Sequence, residues 1–158
     1  MTGKRTATAA ALAAGALAVA GLAFAPTAAA VTPQTATINA SCGIFGGGAA
    51  TLTATQSGTS ATITLTSAAV KTPVAVAKDS VTSKLTLVKA SGGTTVFTGT
   101  KNPAMAAGDP VSAGPLSGTV APGDSLEAYG GSLQMTVLGV NITCTATGKQ
   151  SPGPFVFD

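Results

Sequence analysis

Threonine alternates with apolar residues at a period of two in several stretches of this 158-residue chain, and only an extended strand can use that period. The cleanest case is Thr62-Ile-Thr-Leu-Thr66, which sends Ile63 and Leu65 to one face and its three threonines to the other. Thr51-Leu-Thr-Ala-Thr55 repeats the pattern with Leu52 and Ala54 inward, and residues 35–42 place Ala36, Ile38, Ala40 and Cys42 on one face. Further strands are expected at 81–88, with Leu85 and Leu87 inward, at 94–98, at 126–129 running on through 133–138, and at 140–147 after a bend at Gly139. Residues 99–123 carry Pro103, Pro110, Pro115 and Pro122 and predict a Pro/Gly-rich connection with one short strand near 116–120, because proline cannot donate to a ladder. The tail, 151–158, is expected to be extended, with Phe155 and Phe157 packing back onto the domain. No stretch after residue 30 has helical spacing.

Seven or eight short strands with turn signals every eight to twelve residues predict an all-β antiparallel β-sandwich, immunoglobulin-like in the broad sense. Ile38-Asn-Ala-Ser-Cys42 and Val140-Asn-Ile-Thr-Cys144 share the pattern apolar-Asn-x-hydroxyl-Cys, so parity puts both cysteines on the apolar side of their strands. A Cys42–Cys144 disulfide tying the first strand to the last is therefore expected. Closing a loop of about 100 residues contributes roughly 4–5 kcal/mol in the chain-entropy description. The bridge would not be the usual immunoglobulin one, and the chain has no tryptophan to pack on it, so the expectation is of an architecture and not of a family.

The first 30 residues have the three parts of a secretory signal. Met1-Thr-Gly-Lys-Arg5 is positive, residues 7–25 are small and apolar apart from Thr8, and Thr27-Ala28-Ala29-Ala30 supplies the small residues that signal peptidase needs. Cleavage is expected between Ala30 and Val31, leaving one domain, 31–158. Two cysteines in an exported chain pair in preference to remaining thiols. Lys4 and Arg5 leave with the leader, taking the basic residues from eight to six against five acids, so the net charge falls from +3 to near +1. The remaining lysines form no run and no arginine survives, so nucleic acid is not an expected partner. A membrane is not expected to hold the cleaved protein either.

Gly123-Asp-Ser-Leu126 matches the motif of a family of serine esterases and lipases, which would make Ser125 a nucleophile. That chemistry needs a base, in that family a histidine, and the chain contains no histidine. Pro122-Gly-Asp accounts for the same residues as a turn. Asp124 and Glu127 are the nearest paired carboxylates, but a sugar site also wants aromatic platforms, and Tyr129 is the sole tyrosine. The five acids are scattered, which disfavours calcium. Gly43-Ile-Phe-Gly-Gly-Gly48 lacks the Lys-Ser/Thr ending of a phosphate loop and reads as a hairpin connection. Asn39-Ala-Ser and Asn141-Ile-Thr are formal glycosylation acceptors that parity explains as outward positions. The two Thr-x-Thr rows could order water as an ice-binding face does, but two rows are few, and a solvent-facing β-former accounts for them. No catalytic residue, cofactor site or metal site is expected.

The Ala-, Thr- and Gly-rich leader, a cysteine near each end of a Thr-rich β-domain and the stretch Pro122-Gly-Asp-Ser-Leu126 together resemble small secreted proteins of high-GC actinobacteria. The resemblance spans most of the mature chain and implies an extracellular or cell-envelope location, without an activity. The expected function is that of a non-enzymatic structural or protein-interaction module with a cell-wall or extracellular protein partner. The alternatives are a secreted serine hydrolase centred on Ser125 and a ligand- or polysaccharide-binding module with a groove around Tyr129. The exported protein should have the intact mass of residues 31–158, two hydrogens light, and should resist alkylation until reduced. A full-length mass, or thiols that alkylate at once, would remove the export reading.

Overall fold

A computed structural model describes residues 30–158; the rest of the leader, Ala28 included, lies outside the described residues. The alternating stretches become strands whose apolar parity faces a common interior: β1 (Thr35–Ser41), β2 (Gly47–Ser57), β3 (Ser60–Lys71), β4 (Thr82–Lys89), β5 (Thr94–Thr100), β6 (Pro110–Thr119), β7 (Ser125–Val137), β8 (Val140–Ala146) and β9 (Phe155–Val156). Ala36, Ile38, Leu52, Ala54, Ile63, Leu65, Leu85 and Leu87 are all buried, as period two requires.

The strands run in the order β4-β5-β6-β3-β2-β1-β8-β7, every pairing is antiparallel, and β7 returns to pair with β4. The sheet therefore closes into an eight-stranded β-barrel, with β9 added on β7 beside Ser125 and Leu126. This corrects the immunoglobulin-like sandwich that the alternation suggested. A strand facing a core has the same parity in both architectures; they differ in whether the outer strands bond to one another. Here β4 and β7 do, from Thr82↔Thr136 to Lys89↔Leu126, leaving no free edge on either.

Closure is uneven around the barrel. β5 and β6 meet at the single pair Thr98↔Ser117, and β1 and β8 at Ala40↔Ala146 and Ser41↔Thr145. One step further along the β1–β8 register stand Cys42 and Cys144, and they are joined by a disulfide. The covalent bond takes over where the hydrogen bonds stop. Beyond β8 the chain stays beside β1, with Thr147 N–H donating to the Asn39 carbonyl at 2.8 Å and Ser151 bridging to Thr37.

Residues 110–119 also depart from expectation, forming a full strand in the segment read as a connection. Pro110 opens β6, where no ladder donor is lost, and Pro115 lies in a bulge that sets Ala113 opposite Leu65 and Leu116 opposite Ile63. Gly114 makes that bulge possible: at φ +115 a Cβ there would lie 2.8 Å from the Ile63 carbonyl oxygen. A second bulge bends β7 against β4, and there a Cβ on Gly131 would lie 2.0 Å from the Thr86 carbonyl oxygen.

The two ends of the barrel differ. At one end the tail folds back, as expected, and Phe155 and Phe157 are fully buried there. Phe157 exchanges backbone hydrogen bonds with the 121–124 turn, and Val156 with Thr32. The other end receives the end of β3, the start of β4 and the β7–β8 hairpin, and no strand crosses it.

Replacing both cysteines with alanine should lower the unfolding free energy by about 4–5 kcal/mol in denaturant titrations. Amide exchange should speed up first in β1 and β8, whose mutual ladder is short. Uniform loss across all strands would show that the seam is not the weak line.

Candidate functional site

Of the residues singled out by sequence, Ser125, Asp124, Glu127 and Tyr129 lie at the plugged end or on the outer surface, while Cys42 and the 43–48 glycine stretch stand at the open end. Ser125 begins β7, and its carbonyl accepts the Ala90 N–H at 2.9 Å. Its neighbour Asp124 closes the turn before it: Asp124 N–H donates to the Ala121 carbonyl at 3.0 Å, and its Oδ2 accepts the Ala121 N–H at 2.9 Å. Lys89 Nζ stands 3.0 Å from the same carboxylate. The Ala121 N–H and then Lys89 hold the Asp124 carboxyl below its ordinary range, against the opposing effect of burial. Asp124 thus clasps the turn to β4, which accounts for the Gly-Asp-Ser-Leu sequence as turn chemistry.

Glu127 is likewise engaged in structure. Its Oε1 accepts the N–H groups of Gln150 at 2.9 Å and Tyr129 at 3.2 Å. Buried Gln150 in turn accepts from Ala128 N–H and donates to the Gly153 carbonyl, fixing the start of the tail. Tyr129 is about half exposed on the outer surface. Ala30 is exposed and Val31 buried. Among the described residues no three of His, Cys, Asp or Glu come together as a metal site would need. Asn39 and Asn141 are outward strand positions. The threonine rows do align across strands, as at Thr37–Thr51–Thr66, and the Thr55 and Thr62 hydroxyls bond each other at 2.6 Å. Barrel twist and curvature keep such rows from forming a flat lattice.

The open end holds a site that the catalytic and glycosylation motifs do not mark. Residues 72–81, after β3, fold against residues 101–109, after β5, as a flap. Thr72 N–H donates to the Asp109 carbonyl, and Val76 and Met105 exchange hydrogen bonds of 2.8 and 2.9 Å. Asn102, only 3% exposed, pins the flap with its whole amide. Its Oδ1 accepts the Ser80 and Val81 N–H groups at 2.8 Å each, and its Nδ2 donates to the carbonyls of Ala77 and Pro103. The pin holds Val76 and Met105 down on the barrel end.

Opposite the flap stands the β7–β8 hairpin, whose loop is the two residues between Val137 and Val140. Leu138 and Gly139 both have positive φ, +50 and +79, as a type I′ turn requires. Asparagine is the inexpensive residue at the first position; a leucine held there costs about 1 kcal/mol. Leu138 is 68% exposed, so burial does not offset that cost. On a third side the 3-10 turn Gly43–Phe45, formed by the glycine-rich connection, carries a fully exposed Ile44 and a partly exposed Phe45.

Flap, hairpin and turn surround a cavity of about 400 Å³ whose wall includes Val74, Val76, Met105, Leu138, Val140 and Ile142, with Cys42 and Phe45 closing the third side. A narrower space of about 50 Å³ continues into the barrel, sharing Cys42, Val70, Val111 and Met135 with the first. The polar side chains in the outer wall are Lys71, Thr72 and Ser112, and the Thr72 hydroxyl is committed to the Ala106 carbonyl at 2.5 Å. A third hollow, on the outer face of β4, β7 and β8, is lined by Lys84, Gln134, Thr136 and Asn141 and is polar. Buried Ser83 Oγ and Thr95 Oγ1 lack hydrogen-bond partners, and neither residue lines the apolar cavity.

Compared with known proteins, the chain matches no family model, no curated protein and no solved structure. No helix among the described residues is long and apolar enough to cross a membrane. The sequence did carry one signal for the cavity. Val137-Leu138-Gly139-Val140 is apolar through a hairpin turn, where polar turn residues are the rule.

The Asp124 clasp predicts an acid dependence. Because the folded-state pKa lies below the unfolded one, its contribution is whole above about pH 4 and is lost as pH falls through the lowered value. Asp124→Asn should be less stable than the parent at pH 7 and should lose less of its stability between pH 4 and pH 2. Parallel acid-unfolding curves for the two proteins would contradict the assignment.

Proposed function

We propose that this protein is an exported, non-enzymatic binding barrel that takes an apolar small molecule into its open end. The observation that carries the reading is Leu138, an exposed leucine held in a backbone conformation that disfavours it, at the rim of an apolar cavity. Strain kept without burial to offset it points to use, and the direction of inference runs from the observed φ to the function. The cavity volume lies within the range of ligand pockets, roughly 300–1,000 Å³. Its walls offer each buried methylene about 0.8 kcal/mol. A chain of eight to ten methylenes would gain about 6–8 kcal/mol, from which the cost of immobilisation is subtracted.

A small molecule fits this geometry better than the protein partner first expected. β-augmentation needs an open strand edge, and the pairing of β4 with β7 removes the two edges a sandwich would have left there. The serine-hydrolase alternative gains no support, because the acid beside Ser125 is taken up by Ala121 and Lys89. Export is supported by the leader's pattern and by the disulfide. Val31 is buried and Thr32 bridges to Val156, so cleavage after Ala30 would leave the core complete.

Leu138→Asn separates binding from folding. The variant should unfold about 1 kcal/mol later than the parent and should bind the neutral dye Nile red several-fold more weakly. Parent protein that leaves the dye's emission unchanged at micromolar concentrations would sink the reading.

A further inference from the structure

Resting on that reading of the open end, we infer that the ligand is a single-chain amphiphile with an anionic head, seated with its head at Lys71 and its chain directed past Val111 towards Met135. Lys71 ends β3 and is the one charged residue in the cavity wall. No carboxylate shares that wall. Asp79 faces Lys101, Asp124 faces Lys89, Asp109 accepts from Ala106 N–H and Glu127 from Gln150 and Tyr129, while Asp158 lies at the plugged end beside Gln56. Among the described residues Lys71 makes no ion pair. Lys71 is exposed, so its attraction for an anion is that of a surface charge, up to about 1 kcal/mol.

The same wall excludes other ligand classes. A sugar needs several convergent hydrogen-bonding groups, and with the Thr72 hydroxyl committed to Ala106 the wall leaves Lys71 and Ser112. A cationic head would meet Lys71 with like charge. The volume sets the chain: at about 30 Å³ for each water-sized group, 400 Å³ holds roughly a dozen methylenes, and the inner 50 Å³ one or two more. That is room for one chain of ten to fourteen carbons and too little for two.

Calorimetric titration of the full mature protein with n-alkanoates, n-alkanols and n-alkyltrimethylammonium salts of eight to sixteen carbons, each below its micellar concentration, tests this directly. Alkanoate affinity should rise about fourfold per added methylene and level off near twelve to fourteen carbons. At equal length the alkanoate should exceed the alkanol by up to about fivefold, and the ammonium salt should be weakest. Lys71→Met, at an exposed position, should erase the preference for the alkanoate over the alkanol of equal length. Alkyl sulfates and phosphates that bind as the alkanoates do would place the recognition in the charge and not in the carboxylate, as the inference requires. Alkanols binding as tightly as alkanoates, with Lys71→Met silent, would overturn the head-group inference and leave the apolar site standing. Failure of all three series would overturn both.

Discussion

The structure depends on closing a sheet in which the seam between the first and last barrel strands has a short ladder and a covalent bond. β1 and β8 share two residue pairs before their ladder ends, and a barrel open there would expose the core along both edges. The Cys42–Cys144 bond continues the register by one step and ties strands that are 102 residues apart. A hydrogen-bonded pair can open locally at small cost, whereas a covalent cross-link cannot. The bond also lines the cavity, so the link that keeps the barrel shut forms part of the wall that any ligand touches.

With closure secured, the two ends are free to serve different purposes. One end is plugged by Phe155 and Phe157, held by backbone bonds to the 121–124 turn that Asp124 clasps to β4. The other is ringed by a flap hung from Asn102, a hairpin with a leucine at its tip and a glycine-rich turn. Asp124, Glu127 and Asn102 are engaged in positioning backbone, which accounts for their chemically suggestive look.

Much of the fold was legible because strand parity is a local property. Each Thr-apolar alternation declared which residues face inward, and the shared pattern around Cys42 and Cys144 placed both sulfurs on the apolar side. Choice of ladder partner is not local, so the same parity suited a sandwich, and the pairing of β4 with β7 could not be read from either strand. β6 was missed for a different reason. Its prolines were weighed as if they lay within a regular ladder, while Pro110 opens the strand and Pro115 sits in a bulge opened by Gly114. The cavity was hidden because its wall draws on six separate segments, of which only the apolar 137–140 hairpin turn stands out alone.

Leu138 shows why a break in a local rule says more about function than rules that are kept. The interior obeys period two, and the outer face keeps its threonines in water, so neither distinguishes this barrel from one that only folds. An asparagine at 138 would satisfy the type I′ turn, reduce the exposed apolar surface and disturb nothing beneath it, since the side chain is mostly in solvent. Phe45, Val74 and Val140 are also partly exposed around the same cavity, so the departure is shared by three unrelated connections. Three separate connections thus converge on one apolar rim, and that convergence at the open end is what the binding proposal rests on.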